Sequence, residues 1–112
     1  MNVSFNGIGD GLVTFANQNA TRGAVVKVSA AGTVASCAAG EAFDGVAVYV
    51  DGAYAGVRMG GFVTVTYSGT VPAIGRGILA ANGNGGVKTA ESGDTYLIVA
   101  QDTAAKTITI KL

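Results

Sequence analysis

The sequence predicts an all-β protein: a small, compact β-barrel or sandwich built from two pseudo-repeated halves of short strands, with a flexible N-terminal arm. Three observations carry this expectation. Val46, Val48 and Val50 alternate with Ala47 and Tyr49, and Val63, Val65 and Tyr67 alternate with Thr64 and Thr66. Period-two patterning in β-branched and aromatic residues marks half-buried strands. Eighteen glycines, with Asp51-Gly52 and Gly60-Gly61 set between apolar runs, supply the turns that such strands need. Finally, the order of motifs in the first half recurs in the second.

Taken from the N-terminus, residues 1–20 read as an arm and a first strand, and residues 21–112 as the barrel-like domain, a single domain overall. The arm carries Gly7, Gly9 and Gly11 and only brief apolar runs. Its first ten residues are expected to be held loosely until a partner orders them. Leu12 to Phe15 is expected to join the sheet. Strands are then expected at Ala24–Val28, Thr33–Ser36, Gly45–Val50, Tyr54–Arg58 and Phe62–Tyr67. After Pro72 they follow at Gly77–Ala80, Gly86–Thr89, Tyr96–Gln101 and Thr107–Leu112. The Ala-rich stretches Ala38–Ala42 and Ala100–Ala105 allow a helical turn, though neither is long enough for a stable helix.

The repeat aligns Arg22-Gly23-Ala24-Val25-Val26 with Arg76-Gly77-Ile78-Leu79-Ala80. Val34 matches Val87, Gly40-Glu41 matches Gly93-Asp94, and Val46-Ala47 matches Val99-Ala100. On this alignment Val63, Val65 and Tyr67 are copied by Ile108, Ile110 and Leu112. Each half then has about four strands, and Asp51–Arg58 reads as an insert in the first. Two such halves closing around one core would remove exposed strand edges.

The composition narrows the chemistry. Seven basic and seven acidic residues balance, and charged residues make 12% of the chain, about half the usual fraction. A charge-poor surface repels itself weakly and favours association. No basic patch points to nucleic acid. The run from Met59 to Gly75 is broken by Gly, Ser, Thr and Pro72, so no membrane span is expected. The start lacks a basic and apolar leader, so folding in the cytoplasm is expected.

The absence of His removes Ser-His-Asp and Cys-His catalysis, and the single Cys37 removes thiolate metal clusters. Cys37, among small residues, reads as buried and inert. Gly7-Ile8-Gly9-Asp10-Gly11 lacks the strand, helix and third spaced Gly of a nucleotide loop. Asn82-Gly83-Asn84-Gly85-Gly86 reads as a hairpin turn. Asp44, Asp51, Asp94 and Asp102 read as turn or strand-end residues rather than paired catalytic acids. The aromatics are assigned to core or strand-face packing, with Phe5 the exception, since an apolar residue in a Gly-rich arm has no local core. No catalytic residue, metal or cofactor is expected.

The sequence grammar resembles a family. It comprises a Gly-led strand (Gly23-Ala24-Val25-Val26), Gly45-Val46-Ala47, Val63-Thr64-Val65, a second Gly-led strand (Gly77-Ile78-Leu79-Ala80), the turn Gly86-Val87-Lys88-Thr89 and a closing Thr-Ile-Thr-Ile-Lys-Leu. From Ala20 to Leu112 this resembles the small capsid decoration proteins of tailed phages and prophages, similar in kind to the lambda head-stabilising protein. The resemblance implies a non-enzymatic virion protein on the outside of an expanded capsid, often a homotrimer. Its partner would be the major capsid protein, reached through the arm, with Asn2, Val3, Ser4 and Phe5 as the partner-binding residues. Strand addition by such an arm gives main-chain hydrogen bonds without sequence-specific chemistry. The alternatives are a small β-barrel binding module for a cell surface or glycan, and a phage tail or head-fibre component.

Overall fold

The computed structural model describes residues 12–112. Within them the chain forms ten strands: β1 (Leu12–Asn17), β2 (Val25–Ala30), β3 (Thr33–Ser36), β4 (Gly45–Asp51), β5 (Tyr54–Arg58), β6 (Phe62–Thr66), β7 (Gly75–Ala81), β8 (Val87–Thr89), β9 (Thr95–Asp102) and β10 (Thr107–Lys111). No described residue is helical. The Ala-rich stretches follow suit: residues 38–42 form a turn and its flanks, while Ala100 to Asp102 finish β9 before a tight turn. Each is too short to nucleate a helix against the strands on either side.

The two halves are two copies of one five-strand unit. In the first, β1-β3-β2-β4-β5 close into a barrel; in the second, the sheet runs β6-β10-β9-β7-β8. Read from its first strand, each unit has the same neighbours in the same directions. β1 pairs antiparallel with β5 as β6 does with β10, and the β2-β3, β2-β4 and β4-β5 pairings recur as β7-β8, β7-β9 and β9-β10.

The first unit is a closed barrel and the second a five-stranded sheet, in which the closing contact survives as one isolated bridge. In the first unit β1 meets β3 in parallel at Asn17↔Val34, and the next amide, Gln18 N–H, donates to Val34 O at 2.9 Å. In the second, Tyr67 meets Val87 in parallel, and Ser68 N–H donates to Val87 O at 3.0 Å. Both units also carry an extra residue at one place: Val48 between Ala47 and Tyr49, and Val99 between Ile98 and Ala100. A bulge bends a strand and sharpens its twist, which a five-strand ring requires.

This pairing corrects the sequence alignment. Val46-Ala47 matches Leu97-Ile98, not Val99-Ala100, because Val48 and Val99 are the matched bulge residues. Each unit has five strands, not four. Asp51–Arg58 is no insert: the β4–β5 hairpin is the counterpart of the β9–β10 hairpin. And Ile108 and Ile110 do not copy Val63 and Val65; they pair with Val65 and Val63, respectively, across the β6–β10 ladder. The true counterparts of Val63 and Val65 are Val13 and Phe15, which face Val57 and Ala55 of β5. Alternation looks the same whether two strands repeat or pair, so the pattern alone could not separate the cases.

Side chains explain which unit closes tightly. Val26, Val34, Ala47, Ala55, Val57 and Ala20 fill the first ring, with Phe15, Val50 and Met59 against them. These are small, and a five-strand barrel has little interior to fill. The second cluster holds Val63, Val65, Leu79, Ala81, Tyr96, Ile98, Ile108 and Ile110, and it also takes Val25, Cys37, Phe43 and Val46 from the first unit. The second cluster is therefore built by both halves, while the first belongs to the first unit alone. Phe43 stacks on Tyr96 with ring centroids 4.8 Å apart and planes 9° apart, and the Tyr96 hydroxyl donates to Phe43 O at 3.2 Å. Main chains join too: Ala81 N–H donates to Glu41 O and Gly40 N–H to Ala81 O, at 2.9 and 2.8 Å.

Candidate functional site: the outer face of β1, β5 and β4

Several carboxylates are occupied in structural work. Asp44 Oδ2 accepts Val28 N–H at 2.8 Å, and Asp102 Oδ1 accepts the N–H groups of Ala104 and Ala105 at 3.1 Å. Glu41 binds Lys27 Nζ at 2.8 Å and accepts Ala38 N–H at 2.6 Å. Bonding to Lys27 holds the Glu41 carboxyl below its ordinary range, and the same bond raises the Lys27 ammonium. Cys37 lies in the core, where burial pushes its thiol up to about 11. It therefore stays a neutral thiol near neutrality, and the thiolate is the reactive form. Among the described residues no three His, Cys, Asp or Glu side chains gather as a metal site would require.

The conspicuous surface feature is apolar. β1 lies beside β5, and β5 beside β4, so their outward residues form one sheet face. Tyr49 sits opposite Gly56, and Tyr54 opposite Asp51 and Ala16. Tyr49 is 56% exposed, Tyr54 60% and Leu12 44%. Aromatic rings this open are uncommon where a core is available to receive them, and clustered apolar exposure marks an interaction surface. Gly56 lies between these side chains on the same face. A β-carbon there would lie 3.5 Å from Tyr49 Cβ and Cδ1 and 3.8 Å from Leu12 Cδ1, so Tyr49 and Leu12 flank a strip of bare backbone. The Tyr49 hydroxyl donates to Asp51 Oδ2 at 3.2 Å, and this bond raises its pKa. The result is a ring with a fixed polar tip.

A second feature is a cleft of about 230 Å³ where the units meet, between the Thr21–Ala24 segment, Thr66 and the Asn84-Gly85 turn. Arg22 is the one charged side chain in its lining, which also includes Ala24 and Thr66.

Of the residues singled out in the sequence, Asn2, Val3, Ser4 and Phe5 lie outside the described residues. Phe43, Tyr67 and Tyr96 are buried as packing residues. Tyr49 and Tyr54 are not, and general packing was the wrong assignment for them. The signal was present for Tyr49: it takes the opposite parity to Val48 and Val50. Tyr54 follows a turn and has no such pattern around it. Compared with protein-family models, with curated proteins and with solved structures, the chain matches none.

Proposed function

We propose that this chain is a structural, non-enzymatic protein that binds the outer surface of an expanded phage capsid and bridges neighbouring copies of the major capsid protein. The observation that carries the reading is the exposed face of Leu12, Tyr49 and Tyr54 across β1, β4 and β5. In this reading an arm comprising Asn2, Val3, Ser4 and Phe5 acts on the same partner as the face. The double-unit core supplies rigidity, which lowers the ordering cost of association. The neutral, charge-poor surface suits close packing of neighbours, in a homotrimer or around one. Virion exterior is the corresponding location, with assembly in the host cytoplasm.

The test is binding to expanded capsids, with copy number measured against the major shell protein. The proposal expects a ratio near one to one, lost on deletion of residues 1–10 and weakened by Tyr49→Ser with Tyr54→Ser. Unchanged binding by both variants would sink it. The second reading is a glycan-binding module, favoured by the Tyr49 ring with its hydroxyl fixed on Asp51. It expects saccharide binding that Tyr49→Ser removes, and no affinity for capsids.

A further inference from the structure

Two Asn-Gly steps lie in the β7–β8 turn, Asn82-Gly83 and Asn84-Gly85. In an Asn-Gly step the amide nitrogen of the Gly can reach the Asn side-chain carbonyl carbon, because no side chain on the Gly blocks the approach. The structure treats the two steps differently. Asn82 Oδ1 accepts Asn84 N–H at 2.7 Å and Gly86 N–H at 3.1 Å, while Asn82 N–H donates to Gly86 O at 3.0 Å. Its carboxamide is thereby held as the brace of the turn. Turning it toward Gly83 N would break both side-chain bonds. Asn84 is exposed, and its carboxamide makes no hydrogen bond among the described residues. Gly85, at φ +89°, gives its N–H to no described acceptor, while its carbonyl is anchored by Val25 N–H at 2.9 Å.

We propose that Asn84 is a site of self-catalysed deamidation. Hydroxide takes the proton from Gly85 N, and the nitrogen attacks Asn84 Cγ. A C–N bond forms, the bond from Cγ to the side-chain nitrogen breaks, and ammonia leaves, giving a five-membered succinimide. Water then opens the ring at either carbonyl, leaving an aspartyl or an isoaspartyl residue. The net change is one water gained and one ammonia lost, with no oxidant or reductant. The product carries a carboxylate on the cleft that Arg22 also lines, in a chain whose seven cations balance seven anions. The isoaspartyl form also lengthens the turn backbone between the two amides that Asn82 braces.

The test is incubation of the whole folded protein at mildly alkaline pH, followed by trypsin and tandem mass spectrometry of the peptide Gly77–Lys88. Electron-transfer fragmentation separates aspartyl from isoaspartyl, and Asn84→Asp marks the elution of the product. Two side-chain hydrogen bonds hold Asn82, so Asn84 should react about tenfold faster in the folded chain. In urea, where the brace is gone, the two rates should converge. Equal rates in the folded chain, or Asn82 leading, would overturn the proposal. So would an unreactive Asn84 under conditions where the urea-unfolded chain reacts at both positions, and so would a tenfold preference that persists in urea.

Discussion

Replacing Phe43 tests whether the two units form one cooperative body. Its ring is 2% exposed and belongs to the first unit by sequence, yet it packs in the second unit's core against Tyr96. Truncation to Ala removes a large buried ring and leaves a cavity at the junction, a loss of about 3–5 kcal/mol. Against a total stability of about 5–15 kcal/mol for a small domain, that is a large share. With a urea slope near 1.5 kcal/mol per molar, the midpoint should fall by about 2–3 M. Phe43→Leu keeps most of the apolar volume and gives up mainly the stacked pair, about 0.5–1.5 kcal/mol. Tyr96→Phe keeps the ring and leaves the buried Phe43 carbonyl without its donor, about 1–3 kcal/mol. The assay is urea unfolding followed by far-ultraviolet circular dichroism and by tyrosine fluorescence, which must report one coincident transition. A midpoint shift below about 0.5 M for Phe43→Ala, or two separated transitions in the parent chain, would refute a shared core.

Gly45→Ala should destabilise by about 1–3 kcal/mol in the same assay, because the new β-carbon would lie 2.6 Å from Arg58 O and 2.7 Å from Val57 Cγ1. Stability should fall with alkaline pH. Burial raises Cys37 from 9.0 to about 11 and Tyr96 from 10.0 to about 12, so the folded state keeps protons that the unfolded state releases. Their contribution is complete below pH 9, falls through pH 9 to 11 for Cys37 and 10 to 12 for Tyr96, and is absent above. Cys37→Ala should flatten the first part of that decline in pH-dependent thermal melts. The native Cys37 thiol should resist a thiol reagent at neutral pH and react at the rate of unfolding, read by absorbance. Tyr49→Ser with Tyr54→Ser should leave the urea midpoint within about 0.5 kcal/mol of the parent, since both rings are more than half exposed.

The strands β6 and β10 were legible in the sequence because each obeys a local rule. Val63-Thr64-Val65-Thr66 and Thr107-Ile108-Thr109-Ile110 bury every second residue, as their alternation requires. The duplication was legible through Val34 and Val87, which do hold the same closing bridge. Register was not. β2 and β7 match one residue away from the Arg-Gly alignment, because Val28 and Ala81 are the residues that face Val34 and Val87. Register is set by pairing between strands distant in sequence, which residue type does not signal. The Tyr face was half legible. Parity places Tyr49 outward, but only the β1–β5 pairing brings Leu12 beside Gly56, and that contact spans the length of the unit.

The difference between the two units follows from their interior residues. Counterparts can be read from the shared ladder: Ala55 and Val57 of β5 correspond to Ile108 and Ile110 of β10, and Ala47 to Ile98. At each of these positions the second unit carries the larger side chain. Small residues let the first ring draw in until β1 meets β3 over two residue pairs, Ala16↔Thr33 and Asn17↔Val34. Larger ones hold the second ring wider, and its strands meet at the single bridge Tyr67↔Val87. A wider ring needs more apolar volume to fill it at native density. The first unit supplies that volume with Phe43, from the loop between β3 and β4, and the Tyr96 hydroxyl satisfies the carbonyl that enters with the ring. Enlarging Ala55 or Ala47 toward Ile should therefore strain the first ring. Shrinking Ile108 toward Ala should loosen the seat of Phe43 and with it the junction. A duplicated unit has in this way become one body by a change of side-chain size at a few matched positions, with the strand order kept.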